Sequence, residues 1–151
     1  PQAAAAEVPV RRLLFDLNVV LDVLFERTPH VTEAAALWRA AKDGAVLGLL
    51  PAHGFTTVHY LVRHEKGADF ARQALADLLN VFHVAAVDET VIRRAVSLNW
   101  TDFEDAVVAA AAEAASCEVI VSRNPAHFLK SPVPVLAPKS ALGLLKSTPD
   151  P

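Results

Sequence analysis

The chain switches repeatedly between two patterns of hydrophobic residues. Short, largely apolar runs, at residues 13–15, 45–50, 81–84, 119–121 and 133–136, predict strands. Between these runs, apolar residues recur every three to four positions, which is typical of helices with one buried face. The predicted helices start after residue 18, cover 32–42, 54–64 and 69–79, start again after Asp88, and cover 103–115 and 139–146. In the helix at 69–79, the residues expected to face the core are Phe70, Leu75, Leu78 and Leu79. Because parallel strands need helical crossovers, this order predicts an α/β fold with a mostly parallel sheet.

The helix predicted at residues 103–115 differs from the others. Its segment 106–112 consists only of alanine and valine, so the helix is apolar nearly all round. A helix of this kind is buried, and its small side chains allow it to lie close to a sheet.

Length and composition indicate one domain with a sizeable core. The chain has 151 residues, 53% of them hydrophobic, which excludes a disordered protein. We interpret residues 1–10 as a flexible leader without the features of a signal peptide, 11–146 as the domain and 147–151 as a tail. No membrane span is predicted, because the longest uncharged run, 45–62, is broken by glycine, proline and histidine.

Charge and cysteine content limit the possible partners and compartments. The net charge of −3 provides no broad basic field, so any polyanionic partner must be held locally. Cys117 is the only cysteine, which excludes an internal disulfide and fits a reducing compartment, the cytoplasm. We expect its thiol to be buried and inert.

The first predicted strand ends in a carboxylate, Asp16, and Asn18 follows two residues later. The carboxyl ends of parallel strands lie along one edge of the sheet, where open α/β proteins keep their binding sites. An aspartate inside an apolar run must be paired or functional, since an isolated buried charge is costly.

Two further polar clusters occur at comparable places. Asp102 and Asp105 begin the long buried helix, and their spacing of three lets both point the same way. Ser122, Arg123 and Asn124 leave the strand that follows this helix. Mg²⁺ prefers oxygen ligands from one or two carboxylates, completed by water and substrate phosphates. Asp16 and Asp105, with Asn124 as a neutral oxygen donor, fit that chemistry, and such an ion would assist attack on a phosphodiester.

Simpler roles exist for several of these residues. Asp102 can be a plain N-cap, and Asp105 can be favoured by the helix dipole alone. Arg123 can contact phosphate or be a solvated charge. His127 is either at the rim of the site or an ordinary surface residue. His59 and His64 are five apart, so they do not form the paired face of a zinc-binding helix.

Three segments of the sequence resemble the motifs of PIN domains. Residues 14–22, LFDLNVVLD, resemble the opening block, in which hydrophobic residues precede Asp-Thr-Asn and an apolar helix. Residues 102–106, DFEDA, followed by the alanine run, resemble the second block. Residues 121–128, VSRNPAHF, resemble the third block in its Arg-Asn-Pro form. Their order and spacing agree from about residue 12 to residue 136.

This resemblance implies a compact three-layer α/β/α sandwich and a Mg²⁺- or Mn²⁺-dependent nuclease that often acts on RNA. Many bacterial members are VapC-like toxins of toxin–antitoxin pairs, and many form homodimers. By the match, Asp16 and Asp105 are metal-binding carboxylates and Asn124 occupies the place of a further acid. Asp102 is an additional acid beside them, while Asn18 and Ser122 support these ligands.

The chain also departs from the family pattern. The family usually has a glutamate in the helix after the second strand, and the match places Thr57 there. With Asn124, this leaves fewer negative charges and weaker metal affinity. Despite these departures, the leading hypothesis is an endoribonuclease whose catalytic residues are Asp16, Asp105 and Asp102. The alternatives are a PIN-like module that binds RNA or a protein without cutting, and a small-phosphate hydrolase with Asp16 as nucleophile. A hydrolase of that kind requires a second aspartate at the position where this chain has Asn18.

Overall fold

The computed structural model of the chain describes residues 10–146, so the predicted tail and nearly all of the predicted leader lie outside the described residues. The described part contains five strands and seven α-helices, numbered here in chain order. The strands are β1 (Arg11–Phe15), β2 (Val46–Pro51), β3 (His83–Ala85), β4 (Val119–Val121) and β5 (Val135–Leu136). The helices are α1 (Leu17–Leu24), α2 (Val31–Lys42), α3 (Ala52–Lys66), α4 (Ala68–Val81), α5 (Glu89–Leu98), α6 (Phe103–Ala114) and α7 (Pro138–Lys146).

The strands form one sheet in the order β3-β2-β1-β4-β5, and every pair is parallel. This confirms the predicted α/β class, and β5 is an edge strand as expected. Leu13 in β1 lies between Gly48 of β2 and Val119 of β4. From β1 the chain builds outward on one side through β2 and β3, and later on the other side through β4 and β5. The carboxyl edge between β1 and β4 is therefore the switch point at which this type of sheet leaves a crevice.

Helices cover both faces of the sheet, which confirms the three-layer sandwich. Leu13 and Phe15 point to one face and pack with α1, α2, α3, α4 and α7. Leu14, between them, points to the other face and packs with α5 and α6. The alternation follows from the pleat of the strand, which sends successive side chains to opposite sides. Strands covered on both faces must be largely apolar, as the runs in the sequence predict.

Helix α6 lies against the sheet as its composition predicts. All residues from Ala106 to Ala112 are buried, together with Leu14 and Ile120 of the strands. The first turn of α6 carries Glu104 and Asp105, and it is the end that reaches the carboxyl edge of the sheet. The buried alanine run therefore fixes the position of the carboxylates at its start.

The structure corrects four details of the predicted elements. Val81 ends α4 and does not begin β3. Phe70 and Leu79 were expected to face the core, but they are 45% and 58% exposed, because α4 buries a different stripe made of Ala71, Ala74 and Leu78. Helix α3 begins directly after Pro51, two residues before its predicted start. A short 3₁₀ helix at Pro125–Phe128 was not predicted.

Within residues 10–146, none of the helices is both long enough and apolar enough to cross a membrane.

Candidate active site

Asp16 stands at the switch point between β1 and β4. Its backbone N–H donates to the carbonyl of Val121, which continues the β1–β4 pairing by one residue (2.9 Å). Its Oδ1 accepts from the backbone N–H of Leu17 (2.8 Å), so Asp16 is the N-cap of α1. Its Oδ2 accepts from the hydroxyl of Ser122 (2.8 Å) and from the amide of Asn18 (3.3 Å). These three bonds fix the carboxylate in one orientation.

The residues after β4 hold this arrangement together. Ser122 is fully buried, and its Oγ also accepts from the backbone N–H of Asn124 (3.1 Å). The backbone N–H of Arg123 donates to Oδ1 of Asn18 (3.4 Å). The structure thus brings Asn18 and Ser122 to Asp16, as expected of supporting residues, although Ser122 is more than 100 positions away in sequence.

The first turn of α6 supplies the second and third carboxylates. Oδ1 of Asp102 accepts from the backbone N–H of Asp105 (3.1 Å), so Asp102 is the N-cap of this helix. The capping role that the sequence left open for Asp102 is therefore present in the structure. Asp105 is half-buried one turn into the helix and faces the crevice.

The charge of Asp16 acts on Asp105. Burial raises the pKa of Asp105 to about 6, helped by the negative charges of Asp102 and Asp16. Burial also raises the pKa of Asp16, although the hydrogen bond from Ser122 opposes that rise. Neighbouring carboxylates that destabilise the charge of Asp105 form a place suited to a cation.

Three further residues, His127, Glu104 and His53, interact electrostatically with the carboxylates of the crevice. The sequence predicted only His127 near this site. His127, the expected rim or surface residue, is exposed, and its positive form lowers the pKa of both Asp16 and Asp105. His127 is therefore both a surface residue and a residue at the rim of the site. Glu104 of α6 and His53 of α3 were missed. Burial lowers the pKa of His53, while the charges of Glu104 and Asp16 partly offset that shift.

His53 is unusual because both of its ring nitrogens are buried without a hydrogen-bond partner. It lies in the first turn of α3, which starts at the carboxyl edge of the sheet. A signal was present in the sequence: Pro51 ends an apolar strand and can directly precede a helix start, which would have put His53 beside Asp16. Thr57, one turn later, is half-buried and directs its hydroxyl to the carbonyl of His53 (3.5 Å).

Arg123 forms an ion pair that was not among the roles considered from the sequence. Its Nε lies 2.6 Å from Oδ2 of Asp22, a fully buried carboxylate in α1, and Arg27 approaches the other oxygen of Asp22 at 3.7 Å. The buried oxygens of Asp22 and Nε of Arg123 lack hydrogen-bond geometry, so we treat this contact as an ion pair. The charge of Arg123 is thereby directed into the protein.

Asn124 is exposed and borders a cavity of about 270 Å³ that Arg123 and Lys139 also line. A larger groove, about 760 Å³, lies on the other side of the 3₁₀ helix. We call it the Phe103 groove, and its principal lining residues are Trp100, Asp102, Phe103, Asp105, His127 and Leu129.

The donor set suits one class of cation. Within residues 10–146, no three His, Cys, Asp or Glu side chains are gathered closely enough to hold a metal ion by themselves. Mg²⁺ does not require such a cage, because it is commonly bound through one or two carboxylates with water and substrate phosphates completing the shell. Asp16 and Asp105 fit that mode of binding.

A comparison with family models decides the family. The model described as PIN domain matches residues 12–126, which include Asp16, Asp105 and Asn124. The chain belongs to the PIN domain family. A search of curated proteins finds no significant match.

Solved structures share this PIN fold at low sequence identity. A toxin–antitoxin complex from Klebsiella pneumoniae matches with a TM-score of 0.64 and 22% identity, over 83% of this chain and 97% of that one. VapBC2 from Rickettsia felis, bound to a DNA fragment from its promoter, matches with a TM-score of 0.65 and 13% identity, over 83% and 98%. VapC20 from Mycobacterium tuberculosis, a toxin that cleaves the sarcin-ricin loop, matches with a TM-score of 0.59 and 16% identity, over 72% and 86%.

Proposed function

We propose that this PIN domain is a Mg²⁺- or Mn²⁺-dependent endoribonuclease. The observation that carries the proposal is the approach of Asp105 to Asp16 at the β1–β4 switch point, where burial and the charges of Asp102 and Asp16 raise the pKa of Asp105. Carboxylates that destabilise the charge of a neighbouring carboxylate are expected at a site that binds a cation. Family membership supports the same chemistry.

The mechanism divides the work among the residues of the crevice. Asp16 and Asp105, both ionised, would hold the ion, with Asn124 as a neutral neighbour. When bound, the ion supplies an activated water and neutralises charge on the phosphodiester. Ser122 and Asn18 keep the Asp16 carboxylate oriented through their hydrogen bonds. Asp102 holds the start of α6, and so places Asp105, through its capping bond.

We further propose that the protein is the toxin of a type II toxin–antitoxin pair, acting in the cytoplasm. The support is the fold it shares with proteins solved as toxin–antitoxin complexes. The expected partners are RNA as substrate, a cognate antitoxin and a second copy of the chain in a homodimer.

A second candidate function is a PIN module that binds RNA or a protein without cutting. Thr57 and Asn124 favour it, because both stand where a carboxylate is expected and neither carries a charge. Fewer charges mean weaker cation binding. The two candidates differ in turnover, so one assay separates them.

The test is cleavage of labelled single-stranded RNA with Mg²⁺ or Mn²⁺, compared between the wild type, Asp16→Asn and Asp105→Asn. We expect each variant to lose at least about 100-fold in rate, whereas Asp43→Asn, an exposed aspartate after α2, should cut like the wild type. RNA binding is measured in parallel. If the wild type binds RNA but cuts no faster than Asp16→Asn, the nuclease proposal is wrong and the binding module is favoured.

A further inference from the structure

The Phe103 groove has a composition that differs from the rest of the crevice. Phe103 is 48% exposed and Leu129 is 72% exposed, although both are large apolar side chains. Trp100 stands behind them, fixed edge-to-face on the buried ring of Phe128 at 6.0 Å between centroids. Exposed apolar side chains that line a concavity are typical of a binding site.

The Phe103 groove lies next to the carboxylates of the crevice. Asp102 and Asp105 form part of its wall, and Phe103 lies between them on the first turn of α6. Any molecule whose reacting bond lies at Asp105 therefore places its neighbouring group in this groove.

The charge of the lining determines which part of a nucleotide the groove accepts. Its lining contains two carboxylates and neither lysine nor arginine. A phosphate would be repelled there, whereas a neutral flat base would meet an aromatic face. The cavity beyond the 3₁₀ helix is lined differently, by Glu33 and Lys139 beside Asn124 and by Arg123, whose charge is paired with Asp22.

We propose that the Phe103 groove holds one unpaired base of the RNA, stacked on Phe103, next to the bond that is cut. A base can stack in this way only when it is not paired, so the groove selects single-stranded or looped RNA over a duplex. Stacking tolerates different bases, because each base has an aromatic face. This inference rests on the proposed nuclease function.

The experiment measures binding apart from cleavage. All proteins carry Asp16→Asn so that the RNA stays intact, and binding of a short fluorescein-labelled oligoadenylate is followed by anisotropy in Mg²⁺. Phe103→Ala should weaken binding by about 5-fold to about 150-fold, the range expected for loss of one stacked base. Phe103→Trp, which keeps a stacking face, should bind within about 2-fold of the parent.

The matched control is Val96→Ala, a 63% exposed apolar residue on α5 that does not line the groove. It should leave binding unchanged. A fully paired hairpin should bind weakly to the parent and equally to Phe103→Ala. Circular dichroism checks that each variant is folded. We expect the Phe103 variants to fold because this side chain is half-exposed.

The outcomes separate this inference from the proposed function. If Phe103→Ala binds the oligoadenylate as tightly as the parent, or the parent does not bind it, the groove does not hold a base. A groove that instead served an antitoxin segment would give the first of these results. If Phe103→Ala loses binding while the protein without Asp16→Asn cuts no RNA, the groove inference stands and the nuclease proposal fails.

Discussion

The buried carboxylate of Asp22 is paired with the guanidinium of Arg123, with Nε and Oδ2 2.6 Å apart. This contact joins α1 to the residues that follow β4. The neighbouring Ser122 holds Asp16, and the backbone of Arg123 contacts Asn18. The ion pair therefore anchors the segment that orients the first carboxylate of the site. Its position beneath the crevice makes it a structural support for the site.

Breaking this pair should destabilise the protein. Arg123→Met leaves Asp22 buried, with only the more distant Arg27 to balance its charge. An uncompensated buried charge costs about 3–5 kcal/mol, so we expect the free energy of unfolding to fall by about 3 kcal/mol. Urea denaturation monitored by circular dichroism measures this change.

The double variant Asp22→Leu with Arg123→Met provides the control for that interpretation. It removes both charges together, and it should recover most of the loss, since apolar replacements of a buried pair are often neutral. Arg63→Met, on the exposed side of α3, should change stability by less than about 0.5 kcal/mol. A double variant as unstable as Arg123→Met would mean that packing, and not charge, is responsible.

The raised pKa of Asp105 predicts how stability depends on pH. The native state keeps a proton on this group up to about pH 6, whereas the unfolded chain releases it near the ordinary value of 3.8. Between these values the native state binds more protons, so the contribution of Asp105 favours folding at low pH and is lost as pH rises through about 6. Asn at this position cannot ionise, so Asp105→Asn does not lose this stability as pH rises. We expect the variant to be more stable than the wild type at pH 7.5 by about 1 kcal/mol, after allowance for solvent screening.

Urea titrations of both proteins at pH 4.5 and pH 7.5, without divalent cations, measure the difference. The advantage of Asp105→Asn should be small at the lower pH and larger at the higher one. An advantage that is equal at both pH values would show that ionisation of Asp105 is not its cause.

Divalent cations should reverse the destabilisation of the charge of Asp105 by its neighbouring carboxylates. An ion that binds only the native state at ten times its dissociation constant stabilises it by about 1.4 kcal/mol. For a domain of this size, that corresponds to a rise in Tm of about 3 °C or more. Differential scanning fluorimetry with Mg²⁺ or Mn²⁺ should show the rise in the wild type but not in Asp105→Asn. Sodium chloride at the same ionic strength controls for general screening.

His53 should be a site where stability and activity oppose each other. Both ring nitrogens are buried without partners, and an unsatisfied buried polar group costs about 1–3 kcal/mol. His53→Leu should therefore raise the free energy of unfolding by about 1 kcal/mol, as measured in urea. His64→Leu, an exposed histidine on the same helix, should not. Since His53 faces Asp16 and Glu104, we expect the stabilised variant to cleave RNA more slowly. A variant that is neither more stable nor slower would contradict this account.

Much of the fold could be predicted because its hydrophobic pattern has few alternatives. Largely apolar runs separated by helices require a parallel sheet with both faces covered. The carboxyl ends of such strands share an edge, which was enough to bring Asp16 and Ser122 together. The burial of α6 could be predicted from its alanine run, but the approach of Asp105 depended on whether the loop before α6 crosses the carboxyl edge of the sheet.

The remaining parts depend on contacts that no local pattern encodes. Asp22 interrupts the apolar positions of α1, and the argument applied to Asp16, that a buried carboxylate needs a partner, would have flagged it too. Its partner Arg123 is about 100 positions away, so its identity depends on the packing of α1 against the β4 exit. The outward direction of Phe70 and Leu79 was missed because alanine stripes give a weak hydrophobic signal.

The pairing of β1 with β4 has a consequence for synthesis of the protein. Asp16 belongs to the first strand, but the hydroxyl that orients it and the helix that carries Asp105 come late in the chain. A nascent chain that has emerged only as far as β3 carries half of the crevice and none of the α6 acids. This chain order delays assembly of the crevice until the chain has been synthesised through α6 and β4.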